Sequence, residues 1–247
     1  MSSLHLLQIT DTHLFADPLA VKNGVAPTST LTSVLDEALC ERSPDLILAT
    51  GDLAQEPILN TYMAFVRLIR DRFNGPILGV PGNHDVGETM KKVISTSSVS
   101  MGDWRIITLD THVDHEVAGH VGSEELDRLS TELKKPSKYF LVVGHHPLTD
   151  IGCGWLDAHR VDNGETVVEL LEANPASTAY LCGHIHQVYD QVHNGIRYLA
   201  TPSTCWQFAP NVDSFGFDNA PPGWRWLKLL DDGSIHTEVR RLGGAWN

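Results

Sequence analysis

The sequence of 247 residues predicts an α/β fold in which a pair of mixed β-sheets lies between layers of helices. Over the first two-thirds of the chain, short apolar runs typical of buried strands alternate with segments whose apolar residues recur at helical spacing. In the last third, strand-like runs flank turn signals such as Asn194-Gly195. Because 42% of the residues are hydrophobic, one sizeable core can form, and we expect residues 1–247 to be a single domain.

The helices are predicted from apolar stripes. Leu31 begins a stripe at i, i+3, i+4, i+7 and i+8, which predicts a helix over residues 30–42 with Thr28 or Ser29 as its cap. Further stripes predict helices around 62–69, over 123–134 with acidic residues in the first turn, and over 164–173. The predicted strands are Leu4–Thr10, Asp45–Thr50, Ile77–Val80, Trp104–Leu109, Tyr139–Val143, Thr178–Cys182, Gln187–Val192, Ile196–Ala200, Trp224–Leu230 and Ser234–Val239.

Composition excludes several classes of partner. With 18 basic and 31 acidic residues the formal net charge is −13, so a long nucleic acid is not an expected partner.

The chain has neither an apolar stretch long enough to span a membrane nor a signal-peptide pattern. Its four cysteines show no CxxC spacing, which predicts free thiols and a cytoplasmic protein. The sequence leaves the oligomeric state open, a homodimer included.

Polar clusters follow five of the predicted strands, at the sheet edge where α/β proteins bind ligands. Each cluster alone is ordinary, since such residues also form turns, strand ends, helix caps and surface pairs. Together, five clusters rich in carboxylate and imidazole groups favour a functional site. They are Asp11-Thr12-His13, Gly51-Asp52, Gly82-Asn83-His84-Asp85, Gly144-His145-His146 and Gly183-His184-Ile185-His186.

These residue types suit a pair of metal ions such as Mn, Fe or Zn. Side chains two residues apart on an extended segment share one face, so Asp11 and His13 can converge, as can His184 and His186. Asp52 can bridge two ions, and two metals roughly 3.5–4 Å apart would suit in-line attack on phosphorus. The candidate metal ligands are Asp11, His13, Asp52, Asn83, His145, His184 and His186.

The order of these motifs from Asp11 to His186 resembles that of the calcineurin-like metallophosphoesterase family. The resemblance implies a four-layer αββα sandwich of two mixed β-sheets flanked by helices, and a dinuclear metal site. It implies that His84 lies beside the scissile phosphate, while His146 matches no family ligand. One metal would be held by Asp11, His13, Asp52 and His186, and the other by Asp52, Asn83, His145 and His184.

Other stretches are similar to the bacterial 3′,5′-cyclic AMP phosphodiesterases of this family. This resemblance implies hydrolysis of cyclic AMP to 5′-AMP by a metal-bridging hydroxide, with Fe or Mn as the metals and Zn also compatible. It implies His84, Asp52 and Asn83 as catalytic residues, and a substrate contacted by these three together with His13 and His186. The similar stretches are Leu7–Phe15, Ala49–Gln55, Gly152–Asp157, Leu181–Gln187 and Leu199–Phe208.

Alternatives remain at this point. The substrate could be a 2′,3′-cyclic nucleotide or a glycerophosphodiester, or the fold could serve as a non-catalytic binding scaffold. Trp155, in the predicted loop Pro147–Asn163, could stack on a purine or pack over the sheet edge. Asp85 could orient a neighbouring ligand or hold its own turn, and Cys153 is expected to be a small buried thiol.

Overall fold

The computed structural model describes residues 3–243, and it contains the two mixed sheets with helices on their outer faces that the sequence predicts. In chain order the elements are β1 (Ser3–Ile9), α1 (Pro27–Glu41), β2 (Leu46–Thr50), α2 (Leu59–Arg70), β3 (Ile77–Val80), α3 (Gly87–Met90), β4 (Val99–Met101), β5 (Trp104–Thr108), α4 (Ser123–Glu132), β6 (Tyr139–Val143), α5 (Gly154–Asp157), α6 (Gly164–Glu172), β7 (Ser177–Cys182), β8 (Tyr189–His193), β9 (Ile196–Ala200), β10 (Gln207–Phe208), β11 (Phe217–Asp218), β12 (Gly223–Leu230) and β13 (Ile235–Arg241).

The first sheet has the strand order β13-β12-β1-β2-β3, and the second has the order β4-β5-β6-β7-β9-β8. In each sheet a parallel centre is extended by antiparallel strands: β1, β2 and β3 are parallel, as are β5, β6, β7 and β9. Strands β10 and β11 form a separate short ribbon. The parallel strands therefore end on the same side within each sheet, and their carboxyl ends carry the polar clusters.

Side-chain alternation along the strands builds three apolar layers. In β6, Leu141 and Val143 point into the layer between the two sheets, whereas Phe140 and Val142 face the helices α4 and α6. In β2, Leu46 and Leu48 likewise face the second sheet, and Ile47 and Ala49 face the helices α1 and α2. This alternation explains why the strands are apolar on both faces.

The structure differs from the sequence prediction at the start of α1. The helix begins at Pro27 with Ala26 as its N-cap, and neither Thr28 nor Ser29 caps it. Proline at the first helical position has the φ that the helix requires, and its missing N–H is one fewer group without a partner in the first turn. Thr30 and Thr32 instead donate their hydroxyls to backbone carbonyls one turn earlier.

The short elements α3, α5, β4, β10 and β11 are not predicted by the sequence analysis, because each is too brief to show a periodic pattern. The predicted hairpin at Asn194-Gly195 is confirmed: β8 and β9 are antiparallel, and both turn residues have positive φ. Among residues 3–243, no helix combines the length and the apolar character that crossing a membrane requires.

Candidate metal centre

The predicted ligands come together from the carboxyl ends of strands in both sheets. Loops of the first sheet supply Asp11 and His13 after β1, Asp52 after β2 and Asn83 after β3. Loops of the second sheet supply His145 after β6, and His184 and His186 after β7. Asn83 is half-buried and the other six are buried. The cluster therefore lies where the two sheets face each other.

The backbone at this cluster adopts conformations that L-residues rarely occupy. Positive φ angles occur at Asp11 (53°), His13 (46°), Asp52 (50°), His184 (66°) and His186 (51°). Such conformations cost of order 1–3 kcal/mol each and persist where surrounding contacts determine them. Here the loops bond to each other: the Asp11 N–H donates to the Gly51 carbonyl at 2.9 Å, and the His13 N–H donates to the Asp52 carbonyl at 3.0 Å.

Close approach of these loops explains the glycines that precede several ligands. A Cβ atom at Gly183 would overlap Thr10 Oγ1, and one at Gly82 would overlap both Oδ1 and the backbone nitrogen of Asp52. Gly183 directly follows β7 of the second sheet, and Thr10 directly follows β1 of the first. The Gly-Asn and Gly-His motifs thus meet a steric requirement, because a side chain would force the two sets of loops apart.

The first group of ligand atoms surrounds His186. Its Nδ1 donates to the Trp206 carbonyl at 2.7 Å, so Nε2 of the neutral ring carries a lone pair. That Nε2 lies 3.2 Å from Asp11 Oδ1 and 3.4 Å from His13 Nε2. Asp11, His13 and His186 can each place one ligand atom within 4.8 Å of the others. Lone pairs that converge in this way are suited to a shared cation.

The second group surrounds His145 and is built in the same way. The ring Nδ1 donates to the Thr50 carbonyl at 2.7 Å, which directs Nε2 at oxygen atoms. Nε2 lies 3.2 Å from Asn83 Oδ1 and 3.5 Å from Asp52 Oδ1. His184 Nδ1 lies 3.0 Å from the same Asn83 oxygen. Asp52 also has its Oδ2 atom 4.0 Å from His13 Nε2, so it lies between the two groups.

Burial and neighbouring charges shift the pKa values of this cluster in opposite directions. Burial alone would raise the pKa of the Asp52 carboxyl, but His145 beside it holds that pKa well below its usual range. Burial alone would lower the pKa of His145, but the Asp52 carboxylate raises it to about 9. At His13, by contrast, burial prevails and lowers the pKa to about 3, so this ring is neutral and available as a ligand.

The residues present fit a pair of metal ions. Within residues 3–243, the buried Asp11 Oδ1, which faces His186 Nε2, has no hydrogen-bond partner. Buried polar atoms are normally satisfied, and a bound cation would satisfy atoms that carry lone pairs. The donor set of carboxylate, imidazole and amide oxygen suits Mn, Fe or Zn.

His146 lies beside His145 and His184, but both of its ring nitrogens are engaged. Nδ1 lies 2.8 Å from Thr111 Oγ1, and Nε2 lies 3.2 Å from the Val117 carbonyl. Its ring is fully buried. These contacts attach the chain around Val117 to the site, although His145, His146 and His184 can also place ligand atoms within 4.8 Å of one another.

His84 is held at the cluster by two contacts. Its backbone N–H donates to Asp52 Oδ1 at 2.8 Å, and its ring Nδ1 accepts from Gln55 Nε2 at 3.2 Å. The ring also packs edge-on against His13, with centroids 5.1 Å apart. Because Nδ1 is the acceptor, Nε2 carries the proton of the neutral ring. His84 therefore offers an N–H donor to the cavity that it lines.

Asp85 connects the loop after β2 to the loop after β3. Oδ2 accepts the N–H groups of Gly82 at 2.9 Å and Leu53 at 3.2 Å, and Oδ1 accepts the Ala54 N–H at 3.1 Å. The Tyr62 hydroxyl also donates to Oδ1, at 3.1 Å. Both roles considered from the sequence are thus present, since the carboxylate holds its own turn and also fixes the loop that carries Asp52.

A cavity of about 220 Å³ opens over the cluster. Trp155 lies on α5 and lines this cavity, half-buried, with its ring against Phe208 and Phe215. Cys153 is buried, as expected, and its Sγ contacts the Val212 carbonyl. Lining residues that the sequence analysis did not assign to the site are Lys22, Asn23, Gln55, Val117, Leu156, His159, Trp206, Phe208, Phe215 and Phe217.

Four of these unassigned residues had a signal in the sequence, because they lie in stretches that resemble the bacterial phosphodiesterases. Gln55 lies in Ala49–Gln55, Leu156 in Gly152–Asp157, and Trp206 and Phe208 in Leu199–Phe208. Phe215 and Phe217 had none, because their segment is irregular apart from the two-residue strand β11. Their position depends on contacts that the sequence pattern does not show.

Comparison with known proteins agrees with this geometry. The family model described as calcineurin-like phosphoesterase matches residues 4–188. The chain is 39% identical to the 3′,5′-cyclic adenosine monophosphate phosphodiesterase CpdA of Haemophilus influenzae, over 98% of this chain and 91% of that protein. It is 38% identical to CpdA of Escherichia coli K12, over 97% of this chain and 90% of that protein.

Among solved structures, the purple acid phosphatase PPD1 of yellow lupin seeds is similar in fold, with a TM-score of 0.75 and 17% identity. The match covers 100% of this chain and 53% of the lupin chain, and at this identity it concerns the fold alone. The family model and the near full-length relatives together show the membership. The chain belongs to the calcineurin-like phosphoesterase family.

Proposed function

We propose that this protein hydrolyses 3′,5′-cyclic AMP to 5′-AMP at a dinuclear metal centre. The observation that carries the metal centre is the direction in which two imidazole Nε2 atoms point. Nε2 of His145 and Nε2 of His186 each face carboxylate or amide oxygens, because Nδ1 of each ring is fixed by a backbone carbonyl. The substrate in this proposal follows the relatives, whose names specify 3′,5′-cyclic adenosine monophosphate.

In this proposal Asp52 is shared by the two metal positions, as its place between the two groups of ligand atoms supports. Two ions, with Fe or Mn expected and Zn compatible, would supply a hydroxide nucleophile at neutral pH and stabilise charge on the phosphoryl oxygens. One position would be formed by Asp11, His13, Asp52 and His186, and the other by Asp52, Asn83, His145 and His184.

His84 and Asn83 act on the substrate itself. The His84 Nε2–H donates to a phosphoryl oxygen, where it stabilises the charge that develops in the transition state. Asn83 and Asp52 position the reacting group, and His13 and His186 form the floor of the phosphate site. The bond from phosphorus to the 3′ oxygen breaks as a new bond to a water-derived oxygen forms. The proton that the attacking water gave up is returned through solvent to the 3′ oxygen, so cyclic AMP and one water give 5′-AMP.

We further propose that residues 1–247 act as one domain, because loops of both sheets contribute to one cluster. We place the reaction in the cytoplasm. All four cysteines are free thiols, three of them buried, which is the usual state in a reducing compartment. A small cyclic nucleotide is then the expected partner, and the net charge of −13 still argues against long nucleic acids.

The test is hydrolysis of cyclic AMP by the Mn²⁺-reconstituted protein, with bis(p-nitrophenyl) phosphate as a generic diester. We expect 5′-AMP as the product, and turnover lowered by orders of magnitude in His84→Ala with metal content unchanged. His193→Ala is the matched control, since His193 is exposed at the β8–β9 turn. Turnover of the generic diester alone would remove the cyclic AMP assignment. Turnover of neither substrate would favour a binding scaffold.

A further inference from the structure

The cavity over the metal-ligand cluster has two chemically different sides. One side carries five of the predicted ligands and His84, and the other carries most of the aromatic rings that line the cavity. We call four of these rings the aromatic wall: Trp155, Phe208, Phe215 and Phe217.

The aromatic wall is continuous with the metal-ligand cluster. The Phe208 ring stacks on His186 with centroids 4.2 Å apart and planes inclined by 20°. Trp155 meets Phe208 edge-on at 5.1 Å, and Phe215 meets Trp155 at 5.2 Å and Phe217 at 5.1 Å. A substrate whose phosphate lies at the cluster would therefore extend along apolar rings.

The outer rings of the wall are unusually open to water. Phe215 is 58% exposed and Phe217 is 50% exposed, although both are large apolar side chains. Adjacent exposed aromatic rings beside a polar cluster mark a surface that gains free energy when a flat apolar group covers it. Neither ring is required to fill the core, since neither belongs to the buried clusters.

The segment that carries these rings is fixed at its base. The Cys153 thiol lies 3.2 Å from the Val212 carbonyl, and Gln187 Nε2 donates to the Ala209 carbonyl at 3.2 Å. The Ala209 N–H donates to the Gly216 carbonyl at 2.9 Å, which closes the loop between Phe208 and Phe217. These contacts hold the wall in place before a ligand arrives, which reduces the entropy lost on binding.

We propose that Phe215 and Phe217, with Trp155 behind them, bind the nucleobase of the substrate by stacking on its face. This inference rests on the proposed function, because it assumes a nucleotide whose phosphate lies at the metal centre. A purine presents two flat apolar faces, and stacking on aromatic side chains is the general way in which proteins hold unpaired bases. The wall thus selects for the presence of a base.

The test compares cyclic AMP with ribose 3′,5′-cyclic phosphate, which has the same phosphodiester and no base. In Phe215→Leu and Phe217→Leu we expect the ratio of kcat/KM for cyclic AMP to kcat/KM for the base-free compound to fall about tenfold. Leucine keeps an apolar side chain and removes the ring, so the change isolates stacking. Val192→Ala is the control, because Val192 is 61% exposed on β8 and does not line the cavity.

Product binding provides a second readout that needs no turnover. By calorimetry, we expect the Kd of 5′-AMP to rise about tenfold in each leucine variant, while the Kd of ribose 5-phosphate stays unchanged. If the wild-type protein hydrolyses cyclic AMP, but the leucine variants keep the wild-type ratio of kcat/KM values and the wild-type Kd for 5′-AMP, the base site is overturned and the proposed function stands. Absence of wild-type turnover and of 5′-AMP binding would overturn both the base site and the proposed function.

Discussion

Replacement of Asp85 by asparagine tests how the loop after β2 is held to the loop after β3. In the wild-type protein each carboxylate oxygen receives two donors. Oδ2 accepts from the N–H groups of Gly82 and Leu53, and Oδ1 accepts from the Ala54 N–H and the Tyr62 hydroxyl. All four donors compete for oxygen atoms, and asparagine offers only one oxygen.

The cost of the substitution follows from these partners. If the asparagine oxygen keeps the two bonds made by Oδ2, its NH₂ group faces the Ala54 N–H and the Tyr62 hydroxyl. The Tyr62 hydroxyl oxygen, which already accepts the Val86 N–H, has a second lone pair for the NH₂ group, but the Ala54 N–H is left buried without an acceptor. An unsatisfied buried donor costs about 1–3 kcal/mol. For a chain of this size, a loss of about 2 kcal/mol lowers Tm by about 4–8 °C.

Calorimetric melting of Asp85→Asn would measure this shift, with Tyr62→Phe as the matched control. Tyr62→Phe removes one donor to Asp85 and also the acceptor of the Val86 N–H. Because Val86 is 39% exposed, water can take the place of that acceptor, and we expect a smaller loss of stability. We also expect kcat to fall in Asp85→Asn, because the His84 N–H and the Asp52 carboxylate lie on the two loops that Asp85 joins. A Tm within about 1 °C of wild type, with kcat unchanged, would refute this reasoning.

Four further outcomes are expected. Asp52→Ala should lose metal at both positions by elemental analysis, and full occupancy would contradict a shared ligand. Chelation should abolish phosphodiesterase activity and Mn²⁺ should restore it, whereas activity indifferent to chelator would count against a metal mechanism. Gln55→Ala should lower kcat by roughly 2–10-fold, because His84 Nδ1 loses a hydrogen bond worth about 0.5–1.5 kcal/mol; equal kcat would exclude a positioning role. Leu141→Ala, between the two sheets, should lower the free energy of unfolding by about 2–5 kcal/mol in urea melts, and a smaller loss would mean that the layer can collapse around it.

The sequence predicts the long elements and the ligand-bearing loops because both follow from short-range rules. Strands such as Ile77–Val80 and Tyr139–Val143 have the predicted bounds, since each is a short apolar run with turn-forming or polar residues at both ends. The helix α1 shows the limit of this approach. Its apolar stripe locates the helix, but the first turn depends on Pro27, and the hydroxyls of Thr28 and Ser29 do not cap it.

The remaining part of the site depends on tertiary contacts. The aromatic wall is formed by side chains from α5 and from the segment after β9, whose course depends on contacts such as that between Cys153 and Val212. Such contacts join residues far apart in the chain and produce no periodic signal. Gln55 is similar, because its role follows from its distance to His84 and not from its residue type.

The two sheets contribute ligands to one cluster, and this arrangement links the supply of metal ions to the rate at which the protein is degraded. Metal ions held there would tie the halves of the sandwich together, so their binding free energy would add to the free energy of unfolding. A ligand present at 1,000 times its Kd stabilises a folded protein by about 4.1 kcal/mol. A cell starved of the metal would then carry a protein that is both inactive and more readily unfolded and degraded, so enzyme abundance would follow the metal supply.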